Sequence, residues 1–253
     1  MIPKIIHYCW LSNDPVPAEL KGYMATWKKY LPGYEFVKWD FDRFDINTSI
    51  WVKEAFEKKK YAFAADYIRM YALSTMGGIY LDMDVEILRP FDDLLHLDYF
   101  LCYENSETNV PEVAAFGASK ECAWVKKILE HYKELHFVKS DGTLDNTPLP
   151  KVAKNILENN GYHFIDIQSP SYYNTLKIPQ IGILPCYYFS PKSYATGDIN
   201  ISKNTYSIHH FSGSWQPWEI RLENKIWRML RIKKHPLFTW HLHYWLGKVG
   251  LKR

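Results

Sequence analysis

Three observations predict an α/β domain whose mixed, mainly parallel sheet is flanked by helices and followed by a basic helical tail. Short β-branched and aromatic runs alternate with segments of helical spacing along most of the 253 residues. A helical run halts at Gly77-Gly78 and gives way to an apolar strand that ends in Asp82-Met83-Asp84. From Glu219 onward the chain turns basic and aromatic. The length suffices for one full core with an appendage, so the expected division is a domain over 1–218 and an extension over 219–253.

The elements follow in order. Residues 2–10 form a β-branched and aromatic run suited to a first strand, broken by Pro15 and Pro17. Residues 18–31 carry Leu20, Met24, Trp27 and Leu31 at helical spacing, and Pro32-Gly33 ends that helix. A second strand is expected over 34–39, a polar turn-rich stretch over 40–47, and helices over 50–60 and 61–76. Beyond the acidic strand, 99–103 and 113–118 read as strands, 121–136 as a helix, and 149–159 as another. Short strands are expected at 181–184, 187–190 and 206–211. The stretches around 104–112 and 140–150 read as polar loops.

Composition narrows the class. With 47% apolar and 23% charged residues the chain is not broadly disordered. A net charge of only +3 argues against a nucleic-acid binder that relies on charge. The 17% aromatic share suits core, sugar faces, bases and membrane interfaces alike. Cys9, Cys102, Cys122 and Cys186 form no C-x-x-C pair, which points to neither a zinc site nor a disulfide framework. Cys9 and Cys102 lie in apolar runs and are expected as buried thiols. Reduced cysteines and an N-terminus without signal-peptide architecture suit a cytoplasmic protein. Residues 221–253 hold nine Lys or Arg against one acid, Glu223, a charge of +8 that leaves −5 on the remainder. That asymmetry makes the tail a candidate for peripheral contact with the inner face of a cell membrane. Packing of the same helices on the domain is the plain alternative.

The chemistry concentrates at Asp82 and Asp84. Side chains alternate along a strand, so the two carboxylates are expected to point the same way while Met83 enters the core. Paired carboxylates repel and resist leaving water, and a divalent cation resolves both costs. Oxygen ligands of this kind suit Mg²⁺ or Mn²⁺, often shared with substrate phosphates. A solvated acidic turn is the alternative reading. The C-terminal end of a strand in a parallel sheet is, however, where such sheets bind ligands. Asp66 and Arg69 are three apart and share a helix face among apolar neighbours, which marks them for substrate hydroxyls and phosphates rather than for a surface ion pair. Trp10, at the end of the first strand, serves equally as core or as a platform for a flat base. In His209-His210-Phe211-Ser212-Gly213-Ser214-Trp215, a histidine could add nitrogen to a carboxylate-held Mn²⁺, and the backbone at Gly213 could approach a diphosphate. No Walker loop, G-x-S-x-G, H-E-x-x-H or G-x-G-x-x-G is present.

Four segments taken together resemble glycosyltransferase family 32: residues 2–10, Ala64-Ala65-Asp66-Tyr67-Ile68-Arg69, Gly77 through Asp84, and His209 through Trp215. This group includes bacterial capsular-polysaccharide and lipopolysaccharide sugar transferases and fungal mannosyltransferases, and is related to the catalytic domains of large glucosylating toxins. The resemblance implies a GT-A, Rossmann-like fold, a nucleotide-sugar donor, a divalent metal and retention of anomeric configuration. By motif position it implies Trp10 on the donor base and Asp66 and Arg69 on the donor sugar and phosphate, with Tyr80 nearby. Asp82 falls at the ribose and the metal, and Asp84 is the main carboxylate ligand. Gly213, Ser214 and Trp215 fall on the donor. His210 falls at the metal-ligand histidine of the H-F-x-G-x-x-K-P-W ending in related retaining enzymes, where this chain has Gln216 in place of lysine. The resemblance leaves no protein nucleophile to nominate, so front-face attack assisted by the leaving phosphate is the default. A uridine-diphosphate sugar is the expected donor, with a guanosine-diphosphate sugar second. The expected acceptor is a glycan or lipid-linked oligosaccharide in bacterial surface-polysaccharide synthesis. A metal-dependent phosphohydrolase and a non-catalytic carbohydrate-binding module are the rival classes.

Overall fold

The computed structural model describes residues 1–213 and 218–229. The chain opens with β1 (Ile5–Cys9), α1 (Ala18–Tyr30), β2 (Glu35–Trp39), α2 (Ile50–Glu57), α3 (Tyr61–Met76) and β3 (Gly78–Leu81). It continues through β4 (Val85–Ile87), β5 (Tyr99–Phe100), β6 (Ala115–Ala118), α4 (Ala123–His131) and α5 (Leu149–Asn159). The last described elements are β7 (His163–Asp166), β8 (Gln180–Ile183), β9 (Ser207–His209) and α6 (Trp218–Met229).

The central sheet has the order β2-β1-β3-β6-β5. β1 runs parallel to both β2 and β3, β6 runs antiparallel to β3, and β5 antiparallel to β6. Four of the five strands therefore point the same way and only β6 is reversed. Alternation divides the side chains of β3 between two apolar layers. Ile79 and Leu81 join Trp27, Leu31, Phe91 and Phe189, whereas Tyr80 joins Ile68, Phe116 and Trp124 on the side of α3. The layout is the α/β, mainly parallel one read from the sequence.

α3 spans the predicted residues and is buried over most of its circumference, as its continuous apolar and small-residue composition requires. Gly77 caps it in a left-handed conformation, φ 69°, with its N–H bonded to Leu73 O at 2.9 Å. A Cβ there would lie 2.6 Å from the Lys120 nitrogen, so the turn from α3 into β3 admits glycine alone without rearrangement.

Several boundaries differ from expectation. The strand expected to end in Asp82-Met83-Asp84 stops at Leu81. The chain turns after Leu81, closed by Val85 N–H to Asp82 O at 3.0 Å, and β4 leaves the sheet to pair antiparallel with β9. Residues 187–190 are not a strand, because Pro185 starts a 3-10 turn over Cys186–Tyr188 in which the Tyr188 N–H bonds Pro185 O and the Phe189 and Ser190 N–H groups bond Cys186 O. β7, whose side chains are largely half-exposed, gave no apolar alternation to read. The helix expected over 121–136 is regular only across Ala123–His131. Cys102 is buried as expected, but Cys9 is half-buried at the end of β1.

α6 runs over Trp218–Met229. Glu223 is buried and Asn224 donates to the Tyr194 hydroxyl at 3.3 Å, so this part of the extension contacts the domain, while Leu222 and Ile226 are exposed. The second helix expected in the tail lies outside the described residues. Among the described residues no helix is long and apolar enough to cross a membrane.

Candidate active site

Helical spacing on α3 sets Asp66 and Arg69 on one face, and both are buried. The guanidinium reaches five groups, among them Ala65 O, which accepts from Nε at 3.4 Å. It meets Asp66 Oδ1 at 3.1 Å and Asp82 Oδ2 at 3.4 Å, donates to Val113 O at 2.7 Å, and lies 4.6 Å from the centre of the Tyr80 ring. Such a charge is tolerable inside only because each of its faces has a partner. Burial pushes the Asp66 carboxyl up to about 7, against the pull of Arg69. Burial also raises Asp82, again opposed by Arg69 and reinforced by the neighbouring charge of Asp84.

Asp82 and Asp84 do share one side, but through the turn rather than through strand alternation. The Asp82 N–H extends the β3–β6 ladder to Ala114 O at 2.8 Å, and its Oδ1 accepts the Tyr80 hydroxyl at 2.9 Å. Asp84 is tied to the end of β9: its Oδ2 accepts the Ser212 N–H at 2.7 Å and its carbonyl accepts the His210 N–H at 3.0 Å. Met83 enters the core as expected. Two carboxylates from the β3–β4 turn thus face the end of a strand more than a hundred residues later.

The histidine brought to them is His209, not His210. His209 Nε2 lies 3.7 Å from Asp84 Oδ1, and ligand atoms of Asp82, Asp84 and His209 all lie within 4.8 Å of one another. The cause is the pleat. In β9 the side chain of His209 falls on the buried side with that of its partner Val85. His210 falls on the opposite side, where its Nε2 bonds Glu86 Oε2 at 2.9 Å and its ring stacks on Tyr23 with centroids 4.1 Å apart. Lys192 Nζ approaches His210 Nδ1 at 3.4 Å and donates to its carbonyl at 3.0 Å. Burial works to lower the pKa of His209, but the charges of Glu112 and Asp84 outweigh it and hold it at about 10.

The donor set fits a divalent cation. Ligands at about 2.1 Å from a common ion lie at most about 4.2 Å apart, so the three side chains need only a small closure to share one. Two carboxylate oxygens and one imidazole nitrogen form a mixed set that suits Mn²⁺.

The other expected residues are placed as follows. The β1–β3 register pairs His7 with Tyr80, so Cys9 lies level with Asp82 and Trp10 stands at the same sheet edge. The Trp10 indole N–H donates to Asp14 O at 2.9 Å, and the ring packs partly against the core. Tyr80 is buried, and its hydroxyl is committed to Asp82. Gly213, at φ 60°, directly follows the residue that caps Asp84. Ser214 and Trp215 lie outside the described residues.

Sequence reasoning missed Glu112, whose Oε2 accepts from His209 Nδ1 at 3.0 Å and which is buried at 1% exposure. It also missed Cys9, whose thiol hydrogen-bonds with the Tyr80 hydroxyl and is pushed up to about 12, chiefly by burial. A glutamate before an apolar run carries no local signal of either kind.

This geometry agrees with comparisons to known proteins. Residues 17–101 match the family model described as the glycosyltransferase sugar-binding region containing DXD motif, and that stretch includes Asp66, Arg69, Asp82 and Asp84. Over this stretch the chain is similar to the sugar-binding region of DXD glycosyltransferases, in line with the family 32 resemblance of its motifs. An uncharacterised glycosyltransferase of Acanthamoeba polyphaga mimivirus is 37% identical over 106 residues, covering 40% of this chain and 42% of that protein. Inositol phosphoceramide mannosyltransferase 3 of Schizosaccharomyces pombe is 35% identical over 38% of this chain and 28% of its own length. A mannosyl phosphorylinositol ceramide synthase of Saccharomyces cerevisiae is 31% identical over 54% of this chain and 38% of its own. The matches therefore span less than half the length of these relatives. Among solved structures, the PaToxG glycosyltransferase aligns at TM-score 0.47 and 18% identity over 63% of this chain and 70% of that one. A glycosyltransferase involved in glycosylation of the major capsid of PBCV-1 aligns at 0.46 and 13%, over 88% and 97%.

Proposed function

We propose that the protein is a retaining, metal-dependent glycosyltransferase that moves a hexosyl group from a nucleoside-diphosphate sugar to a glycan or lipid-linked acceptor. The observation that carries this reading is the convergence of Asp82, Asp84 and His209 at the sheet edge, beside the buried Asp66–Arg69 pair. Asp82, Asp84 and His209 would hold Mn²⁺ or Mg²⁺. When bound, the cation supplies positive charge that stabilises the leaving diphosphate.

The chain's own residues do the remaining work. Arg69 fixes Asp66 and Asp82 in place and keeps both carboxylates from repelling each other unchecked. Asp66 offers acceptor oxygens to donor-sugar hydroxyls. Trp10 offers a ring to the base at the same sheet edge, and Gly213, Ser214 and Trp215 are assigned to the donor by motif position alone. No protein nucleophile is nominated, so the acceptor hydroxyl attacks from the face the diphosphate leaves.

A uridine diphosphate sugar is the first choice of donor. A guanosine diphosphate sugar is the second, and a mannosyl donor of that kind would accord with the names of the fungal relatives. The acceptor is a surface glycan or its lipid-linked precursor, met in the cytoplasm at a membrane contacted by the basic tail. The exposed Leu222 and Ile226 on α6 support that contact.

The deciding experiment measures nucleoside diphosphate release from a panel of nucleotide sugars with Mn²⁺, with and without acceptor. Acceptor-dependent release that stops in excess chelator is expected. Acceptor-independent phosphate release would indicate a hydrolase, and binding without turnover a carbohydrate-binding module. Tighter competition by GDP than by UDP reverses the donor choice. Flotation of the full chain with anionic vesicles at low salt tests the membrane contact, and its absence there removes that part of the reading.

A further inference from the structure

Residues 112–114 each hold a different residue of the site. The Glu112 carboxylate accepts from His209 Nδ1, the Val113 carbonyl accepts from Arg69, and the Ala114 carbonyl accepts the N–H of Asp82. None of the three lies within the matched region of 17–101. The segment is itself held rigid. The Glu112 N–H donates to Cys102 O at 2.8 Å, and its second carboxylate oxygen accepts the Ala114 N–H at 2.6 Å. Residues 103–111 form a hairpin closed by the Tyr103 and Pro111 bridge, so Glu112 emerges from a fixed base.

A fully buried carboxylate is costly unless every oxygen is occupied. Both oxygens of Glu112 are occupied, one by the backbone and one by imidazole. An imidazole anchored through Nδ1–H to a carboxylate presents Nε2 as its ligand atom in a fixed orientation. Nε2 is the atom that faces Asp84.

We propose that Glu112 is a positioning residue for the metal-ligand histidine, and that residues 112–114 form a strut setting His209, Arg69 and Asp82 in register with one another. The proposal rests on the metal reading above. It extends that reading to a residue that touches neither metal nor donor and acts only through His209.

The test is Mn²⁺ affinity of the full chain without donor or acceptor, read by electron paramagnetic resonance of free Mn²⁺. The variants are Glu112→Gln, His209→Ala, the double variant and Asp84→Asn, with thermal unfolding as a check on folding. Glu112→Gln keeps the volume but cannot satisfy the Ala114 N–H and the Nδ1–H together. It is expected to weaken Mn²⁺ binding about 10- to 100-fold. The double variant is expected to bind no more weakly than His209→Ala alone. Unchanged affinity in folded Glu112→Gln overturns the proposal, as does an additive loss in the double variant. If Glu112→Gln fails to fold, Glu112→Asp carries the same cycle. Failure of the metal reading looks different: the wild type binds no Mn²⁺, or Asp84→Asn binds it as well as the wild type.

Discussion

The His7 ring bonds the Gly77 carbonyl through Nε2 at 2.8 Å, pinning the first strand to the glycine that ends α3. On its other side Nδ1 accepts the indole N–H of Trp39 at 3.1 Å. Only the neutral tautomer, protonated on Nε2, satisfies both contacts. Burial lowers the pKa of His7, against the raising effects of the Gly77 carbonyl and Glu35. The folded state therefore resists protonation that the unfolded chain accepts below about 6.5. Stability should be flat above that pH and fall below it, by up to about 1.4 kcal/mol per pH unit from this group. Urea unfolding of the wild type and His7→Gln between pH 5 and 7.5 measures it. Equal pH slopes in the two proteins would count against the assignment.

Arg69→Lys should be far from conservative. A lysine cannot reach Asp66, Asp82 and Val113 O at once, and it leaves a buried carboxylate without its partner. A loss of about 3–5 kcal/mol is expected, of the size seen when one member of a buried ion pair is removed. Denaturant unfolding at pH 7 reads it. A loss below about 1 kcal/mol would mean that water or another group replaces the fork.

Tyr80→Phe removes one hydroxyl and leaves the packing of the ring. Stability should fall by no more than about 1.5 kcal/mol, while Mn²⁺ affinity weakens about tenfold because Asp82 loses the donor that orients it. The informative result is the ratio: a change in stability with none in affinity would make Tyr80 a core residue only.

Gly77→Ala should destabilise by at least about 1 kcal/mol, from its left-handed backbone and the close approach of Lys120. Gly142, also at positive φ but with nothing near an added Cβ, serves as the control. An equal loss at both positions would show that the backbone term alone decides.

Asp84→Ala should reduce turnover at least about 100-fold while leaving the melting temperature within a few degrees, since its carboxylate is tied to Ser212 by a single backbone bond. Full activity in this variant would remove Asp84 from the machinery.

The carboxylates and the buried pair were legible because their signals are local. Glycines before an apolar strand, and Asp66 and Arg69 one helical turn apart, need no knowledge of distant pairing. The histidine was a different matter. Adjacent residues in a strand face opposite ways, so choosing between His209 and His210 requires knowing which face of β9 is covered. That depends on its pairing with β4, a contact made across more than a hundred residues. Motif position favoured His210, whereas the pleat put it with Glu86 and Tyr23. Glu112 was invisible for a similar reason, because only the folded chain shows that its carboxylate meets His209 while Val113 and Ala114 meet Arg69 and Asp82. Residues 187–190 misled by composition alone, as the aromatic run between two prolines lacks the alternation of a strand.

The long reach from β4 to β9 also sets the order in which the protein gains competence. β1 and β2 meet across thirty residues, whereas Val85 meets His209 only after the whole intervening chain has been made. Closing that larger loop costs roughly 1.2 kcal/mol more in chain entropy than closing the smaller one. A nascent chain that has already formed its first three parallel strands displays Asp82 and Asp84 with no imidazole beside them and no Ser212 N–H on Asp84. A polypeptide cut short before residue 205 would keep the glycine-bounded strand and the acidic turn yet lack the histidine that faces them.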